Sequence, residues 1–202
     1  MTKFPKEIEN IYTFLENCKY ENISDEKYIY YKSPSQIDKT KSCVCFDGAI
    51  YAYSKLQELE YKPQIFTIKG IRKENGKLIN VAHSLCIIKI NGKYGGIGKS
   101  GSKQMQYKEP IYSDLKQLAM SFTKDLFQRN IWAQSYFIED ETNFPLLLNE
   151  TTDKLYTQNQ ICKSNNTIPN FLEIKEITQY LNQIWNISQT QINELLTDLR
   201  NR

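Results

Sequence analysis

The chain is poor in histidine, and that scarcity orders the reading. Among 202 residues there is one imidazole, His83. Any step that needs such a group falls to that residue. Cysteines number five, an odd count, and Cys18, Cys43, Cys45, Cys86 and Cys162 are irregularly spaced. That pattern excludes a disulfide framework and leaves free thiols, metal ligands or catalytic groups. Long apolar runs are missing too. None approaches the ~20 residues that cross a bilayer, so no membrane association is expected. The N-terminal M-T-K-F-P-K-E-I-E-N is polar and acidic, unlike a secretory signal, which makes the cytoplasm the expected setting. Nor is there a concentrated basic stripe. The 26 basic residues face 23 acidic ones, for a net charge of +3. Such an even mixture reads as a solvated surface and argues against nucleic acid as a partner.

Apolar residues make up 40% of the chain and aromatics 12%. That is enough for one well-buried core rather than a disordered chain. Residues 4–18 carry apolar side chains at helical spacing. Residues 20–39 are polar and tyrosine-rich around S-P-S and read as a loop or irregular arm. Residues 46–59, F-x-x-A-I-Y-A-Y-x-x-L-x-x-L, form an amphipathic helix that E-Y-K-P terminates, with Ser42 a candidate cap. Residues 64–71 alternate and are β-branched, and residues 78–90 make a long second strand. Asn91-Gly92 is a two-residue hairpin signal, so residues 93–100 return as a third strand. A further helix is predicted over 111–127, with Pro110 just before it. Residues 131–138 fit a strand. Two short helical patterns follow at 171–184 and 189–199, the second capped by Ser188. Helices flanking antiparallel strands predict an α+β fold.

The thiolate is the nucleophilic form of cysteine, and at neutral pH an ordinary thiol is mostly protonated. A helix N-terminus and a neighbouring imidazolium both favour the thiolate. Cys45 stands where the helix over 46–59 begins, and His83 stands on a following strand. That is the layout of papain-like thiol enzymes. Cys43 falls in the approach loop. Asp47, in the first helical turn, suits the helix dipole but opposes ionisation of the nearby thiol, and reads as structural. If Ile90 pairs with Lys93 across the hairpin turn, His83 faces Ser100, close enough to touch the ring. A serine hydroxyl accepts from an imidazole N–H but brings no full negative charge. For the oxyanion of an acyl transfer, the backbone N–H of Cys45 is the first donor and the side chain of Gln36 a second.

Five segments run in order: C-F-D-G-A, L-Q-E-L-E-Y-K-P, Q-I-F-T-I-K-G, A-H-S-L-C-I-I-K-I and N-G-K-Y-G-G-I-G-K-S. Over residues 42–101 they resemble the transglutaminase-like superfamily of cysteine enzymes. Its pattern is a C-x-[DE]-x-A helix start, a helix end like L-x-x-L-G-Y-x-P, a strand, a strand opening with histidine, and a hairpin to a third strand. The succession of G-K-Y-G-G-I-G-K-S and E-P-I-Y is similar to a bacterial branch. The resemblance implies a nucleophile helix packed on an antiparallel sheet, with Cys45 attacking an amide and His83 moving the proton. It implies no cofactor and a protein or peptide substrate. It also expects Asp or Asn where Ser100 stands. Ser100 is then a weak orienter, or another residue substitutes, or the site is inactive.

Residues 1–138 are thus expected to form the catalytic-type domain and residues 139–202 a mainly helical extension. The extension covers the cleft, contacts a partner or completes the core. Two rivals accompany the cysteine hydrolase or acyl-transferase reading. One is a catalytically inactive binding module of the same fold. The other is a structural zinc site built from Cys43, Cys45, His83 and Cys86, a Cys₃His set on paper. Against zinc, His83 and Cys86 lie three apart on a strand and face opposite sides.

Overall fold

The long strand β5 (Lys77–Ile90) is the axis of the fold, apolar on both faces over its second half. In this computed structural model, residues 3–21, 30–139, 156–157 and 169–200 are described. Cys162 and most of the polar connection after Glu139 lie outside them. The chain begins with α1 (Lys6–Asn17), β1 (Lys19–Tyr20), β2 (Tyr30–Tyr31), α2 (Pro34–Thr40) and β3 (Ser42–Cys43). Next come α3 (Cys45–Glu58), β4 (Gln64–Glu74), β5, β6 (Lys93–Ile97) and a 3₁₀ turn at Lys103–Met105. Then follow β7 (Tyr107–Tyr112), α4 (Leu115–Met120), α5 (Thr123–Phe127), β8 (Trp132–Ile138) and β9 (Tyr156–Thr157). The last elements are β10 (Asn170–Phe171), α6 (Ile174–Trp185) and α7 (Gln189–Arg200).

Six strands form one antiparallel sheet in the order β10-β8-β4-β5-β6-β7. The protein is α+β, with helices on both faces of this sheet. Strand alternation sends successive side chains to opposite faces. Ile65, Cys86, Ile88 and Ile97 pack with α1 and α3. Phe66, Ile68, Leu85 and Ile87 pack with α4 to α7. The C-terminal helices place Ile177, Leu181, Ile192, Leu195 and Leu199 in that second cluster. Burying an Ile or Leu side chain contributes about 1.5–3 kcal/mol, so both layers help hold the sheet.

Several local expectations change. The arm over 20–39 contains the helix α2. Ser33 caps it, its Oγ accepting from the Gln36 N–H at 3.3 Å while the Gln36 Oε1 accepts from the Ser33 N–H at 2.7 Å. With Pro34 at the first turn this is a complete capping box. Cys43 is not in a loop; it sits in β3, which pairs in parallel with β1. Ser42 shares that strand, so it does not cap α3. The helical pattern over 111–127 divides. Its first residues belong to the edge strand β7, which contains Pro110, a place where a missing N–H is tolerated. The helix starts only where the Asp114 side chain accepts from the Gln117 N–H at 2.8 Å.

The two hairpins follow the turn chemistry. Asn75-Gly76 and Asn91-Gly92 have positive φ at both positions, 49° and 76°, then 49° and 78°, as a two-residue hairpin turn requires. The second sets Ile90 opposite Lys93, and the pairing runs to Cys86 opposite Ile97. There β6 ends, short of Ser100. The chain then crosses the first turn of α3. A Cβ on Gly48 would stand 2.7 Å from the Lys99 Cβ and 3.1 Å from its backbone nitrogen. Glycine at that point of C-F-D-G-A is therefore a packing requirement.

Alanine at an exposed helical glycine gains about 1 kcal/mol. At Gly48 the opposite is expected, because overpacking costs about 1–3 kcal/mol. Gly48→Ala should lower the urea midpoint by the equivalent of about 1–2 kcal/mol. A raised midpoint would show that the approach of Lys99 is not tight.

Candidate active site

The start of α3 is built around a buried acid. Asp47 is 0% exposed, yet its carboxylate has two backbone donors. Oδ1 accepts from the Lys32 N–H at 3.0 Å, and Oδ2 accepts from the Val44 N–H at 3.2 Å. The second bond satisfies the N-cap residue, which has no side-chain oxygen of its own. The first ties the arm over 30–31 to the helix. Loss of water outweighs these bonds and pushes the Asp47 carboxyl up to about 7.

Cys45 is the first residue of α3 and is half-buried. Its sulfur meets backbone N–H groups at Ser84, Phe46 and its own residue, all of which favour the thiolate. Burial is the largest influence and the Asp47 charge adds to it, so the thiol is raised rather than lowered. A helix start is visible in a sequence; the desolvation that outweighs its N–H groups is not. Cys43 is fully buried beside Cys18 and its thiol is raised as well, again mainly by burial.

His83 lies on β5 with its ring on the Leu85 and Ile87 face, against Phe122 at 5.9 Å between centroids. Its Nε2 is 2.7 Å from the Met105 carbonyl oxygen. A carbonyl only accepts, so Nε2 carries the proton and Nδ1 keeps the lone pair. Burial pulls the imidazole down to about 4, with Lys108 and Arg129 adding repulsion. At neutral pH both the thiol and the imidazole are uncharged.

The end of β6 leaves an opening beside β5. There a cavity of about 70 Å³ is lined by Tyr20, Ile68, Val81, His83, Ser100, Met105, Arg129 and their neighbours. The structure thus brings His83 and Ser100 to one space, although no strand pairs them. The Ser100 hydroxyl accepts from the Ser102 N–H at 3.3 Å, and the Ser100 carbonyl accepts from the Gln106 side chain. Cys45 approaches through the main chain of Ser84, the residue after His83, and lies in electrostatic reach of Tyr20. Gln36 does not line this cavity; its carbonyl oxygen is held in the α2 capping box. Behind Ser84, its hydroxyl meets Thr67 Oγ1 at 2.8 Å, and Thr67 donates to Glu139 at 2.8 Å.

Sequence reasoning missed Met105, Tyr20 and Arg129. Met105 acts through its backbone, which no side-chain pattern reveals, and the other two arrive from distant elements. A larger groove of about 610 Å³, lined by Tyr112, Lys116, Glu176 and Tyr180 among others, lies between α4 and α6 and contains neither Cys45 nor His83. Cys86 turns to the α3 side, into the core. Among the described residues, no three His, Cys, Asp or Glu side chains gather as a ligand set for a metal ion. No described helix is long and apolar enough to cross a membrane.

The buried Asp47 makes stability depend on pH. Its carboxyl moves from an ordinary 3.8 to about 7 in the fold. The folded protein therefore holds a proton that the unfolded chain releases, and stability from this group is full below about pH 4 and lost as pH rises through 7. At about 1.4 kcal/mol per unit the whole effect is at most about 4 kcal/mol. Asp47→Asn removes this dependence, so the variant should gain on the wild type between pH 5 and pH 8. Denaturation midpoints at the two pH values check this, and a constant difference overturns it. Losing the charge should also move alkylation of Cys45 to lower pH.

No family model matches the chain, and no curated protein matches it. Among solved structures, the chain is similar to LapG of Legionella pneumophila at 14% identity. That likeness covers 82% of this chain and 76% of the other, with a TM-score of 0.38, too distant to bear on the site.

Proposed function

We propose that the protein is a cysteine-dependent amide hydrolase or acyl transferase of papain-like, transglutaminase-like kind. The observation that carries this reading is the convergence on β5. The only imidazole of the chain sits at residue 83, and the thiol at the start of α3 meets the backbone N–H of residue 84. The Met105 carbonyl holds the proton on Nε2 and leaves Nδ1 as the base. In this scheme the Cys45 S–H gives its proton to Nδ1 as sulfur bonds to the amide carbon. The oxyanion takes the Cys45 backbone N–H, with Gln36 a second donor once its side chain turns. The imidazolium returns the proton to the leaving amine, the C–N bond breaks, and a thioester remains for water or an amine to resolve.

Both groups rest neutral, so proton transfer accompanies attack instead of preceding it. Ser100 lines the same cavity as the ring. Among the described residues no Asp or Glu lines that cavity, and the Met105 carbonyl takes the orienting place with a partial charge only. Residues 1–138 carry this chemistry, and the helices beyond 139 complete the sheet's second face.

The raised thiol and the lowered imidazole favour a second reading, a non-catalytic binding module. Alkylation separates the two. Iodoacetamide at neutral pH, with the labelled thiols mapped by mass spectrometry, should modify Cys45 ahead of Cys18, Cys43 and Cys86. His83→Ala should slow that reaction by about 10²-fold, the lower range for general-base assistance. His83→Asn, which keeps a polar amide but no titrating base, should slow it equally if the variant's denaturation midpoint is preserved. An unchanged rate in a folded variant leaves the binding-module reading.

A further inference from the structure

The cavity beside β5 carries a charge that the proposed chemistry does not use. Arg129 follows α5, lines this cavity, and lies within electrostatic reach of both His83 and Tyr20. Among the described residues its guanidinium has no carboxylate partner, and no Asp or Glu lines the cavity. The other cation facing His83 is Lys108, which is engaged. Its Nζ donates to the Ser121 carbonyl at 3.1 Å and meets Asp125 at 3.4 Å. One positive charge is left over, beside the imidazole.

We propose that this cavity binds a carboxylate of the substrate against Arg129, next to His83. Its size agrees: about 70 Å³ admits a carboxyl group and a water, not a bulky side chain. Its walls agree, since Ile68, Val81, Leu126 and Ile131 are apolar, and Arg129, itself exposed to solvent, is open to an incoming ligand. The chemistry agrees as well. A guanidinium fork matches a carboxylate through two parallel N–H bonds, and the polar residues Tyr20 and Ser100 line the same cavity. Calling the ligand a substrate rests on the Cys45–His83 reading above; the binding of a carboxylate does not.

The placement has a catalytic sense. The groups facing the His83 ring are the Met105 carbonyl, Phe122, Lys108 and Arg129. The two cations oppose protonation of the ring. A seated carboxylate offsets Arg129, so the imidazole becomes a better base only when an acidic substrate is in place.

His83 is the one histidine of the chain, so its ring proton signals in an NMR spectrum need no assignment. The protein is titrated with three neutralised probes. N-acetylglutamate α-amide carries only the side-chain carboxylate, N-acetylglutamine only the terminal one, and N-acetylglutamine α-amide neither. One carboxylate probe should give a saturable shift of the His83 signals and raise their titration midpoint by about half a pH unit or more. Which one does so tells an acidic side chain from a chain terminus. The uncharged probe should do nothing. Arg129→Gln should abolish the effect and by itself raise the midpoint without ligand, and Arg129→Lys should keep part of it. The proposal is overturned if no carboxylate moves the signals, or if Arg129→Gln leaves the response intact. The readout is independent of whether Cys45 reacts with an electrophile, so this result and the alkylation result stand apart.

Discussion

The start of α3 depends on a carboxylate stripped of water. Asp47 gathers the N–H groups of Lys32 and Val44, and with them the arm, the strand β3 and the helix become one piece. Everything at the site inherits its position from that piece. Cys45 stands where it does because residue 44 is held as an N-cap without a capping side chain. Tyr20 is at hand because β1 pairs with β3. The same carboxylate is costly: it keeps negative charge close to the Cys45 thiol and opposes its ionisation. Structure and reactivity are in opposition within two residues.

The resting site is therefore quiet. Burial raises the thiol and lowers the imidazole, the two changes that keep a proton on sulfur. A pre-formed ion pair would be better at attack and also open to any electrophile in solution. In the proposed scheme, a neutral pair waits for a ligand that changes its surroundings. In such a site the Met105 carbonyl is a fitting partner for Nε2. It fixes the ring's tautomer and orientation, as an acid would, without the full charge that would draw the proton across early.

Much of this was legible in the linear chain where local chemistry decides. The hairpins at Asn75-Gly76 and Asn91-Gly92 follow from backbone conformation that few other residues adopt, and they carry the register to Cys86 and Ile97 with them. The α+β layout and the place of Cys45 at the start of α3 follow from periodicity. What was not legible is decided by distant parts. Ser33 and Gln36 cap a helix that composition alone reads as a loop, although S-P-S-Q holds the capping signal. The helical period over 111–127 is genuine, yet the edge of a sheet claimed its first residues. The strand after His83 stops early because the chain must cross α3 at Gly48, and only packing reveals this. Desolvation of Cys45 and His83 requires knowing what covers them.

Pro110 shows what ending a sheet demands. A six-stranded sheet offers unpaired N–H and C=O groups at its outer strands, and these are templates for another extended chain. Here β7, on one side, has a proline in its run and so lacks a donor. On the other side β10 is two residues long. Among the described residues neither outer strand offers a long regular run, one because it holds a proline and the other because it is two residues long, and such outer strands disfavour self-association by strand addition.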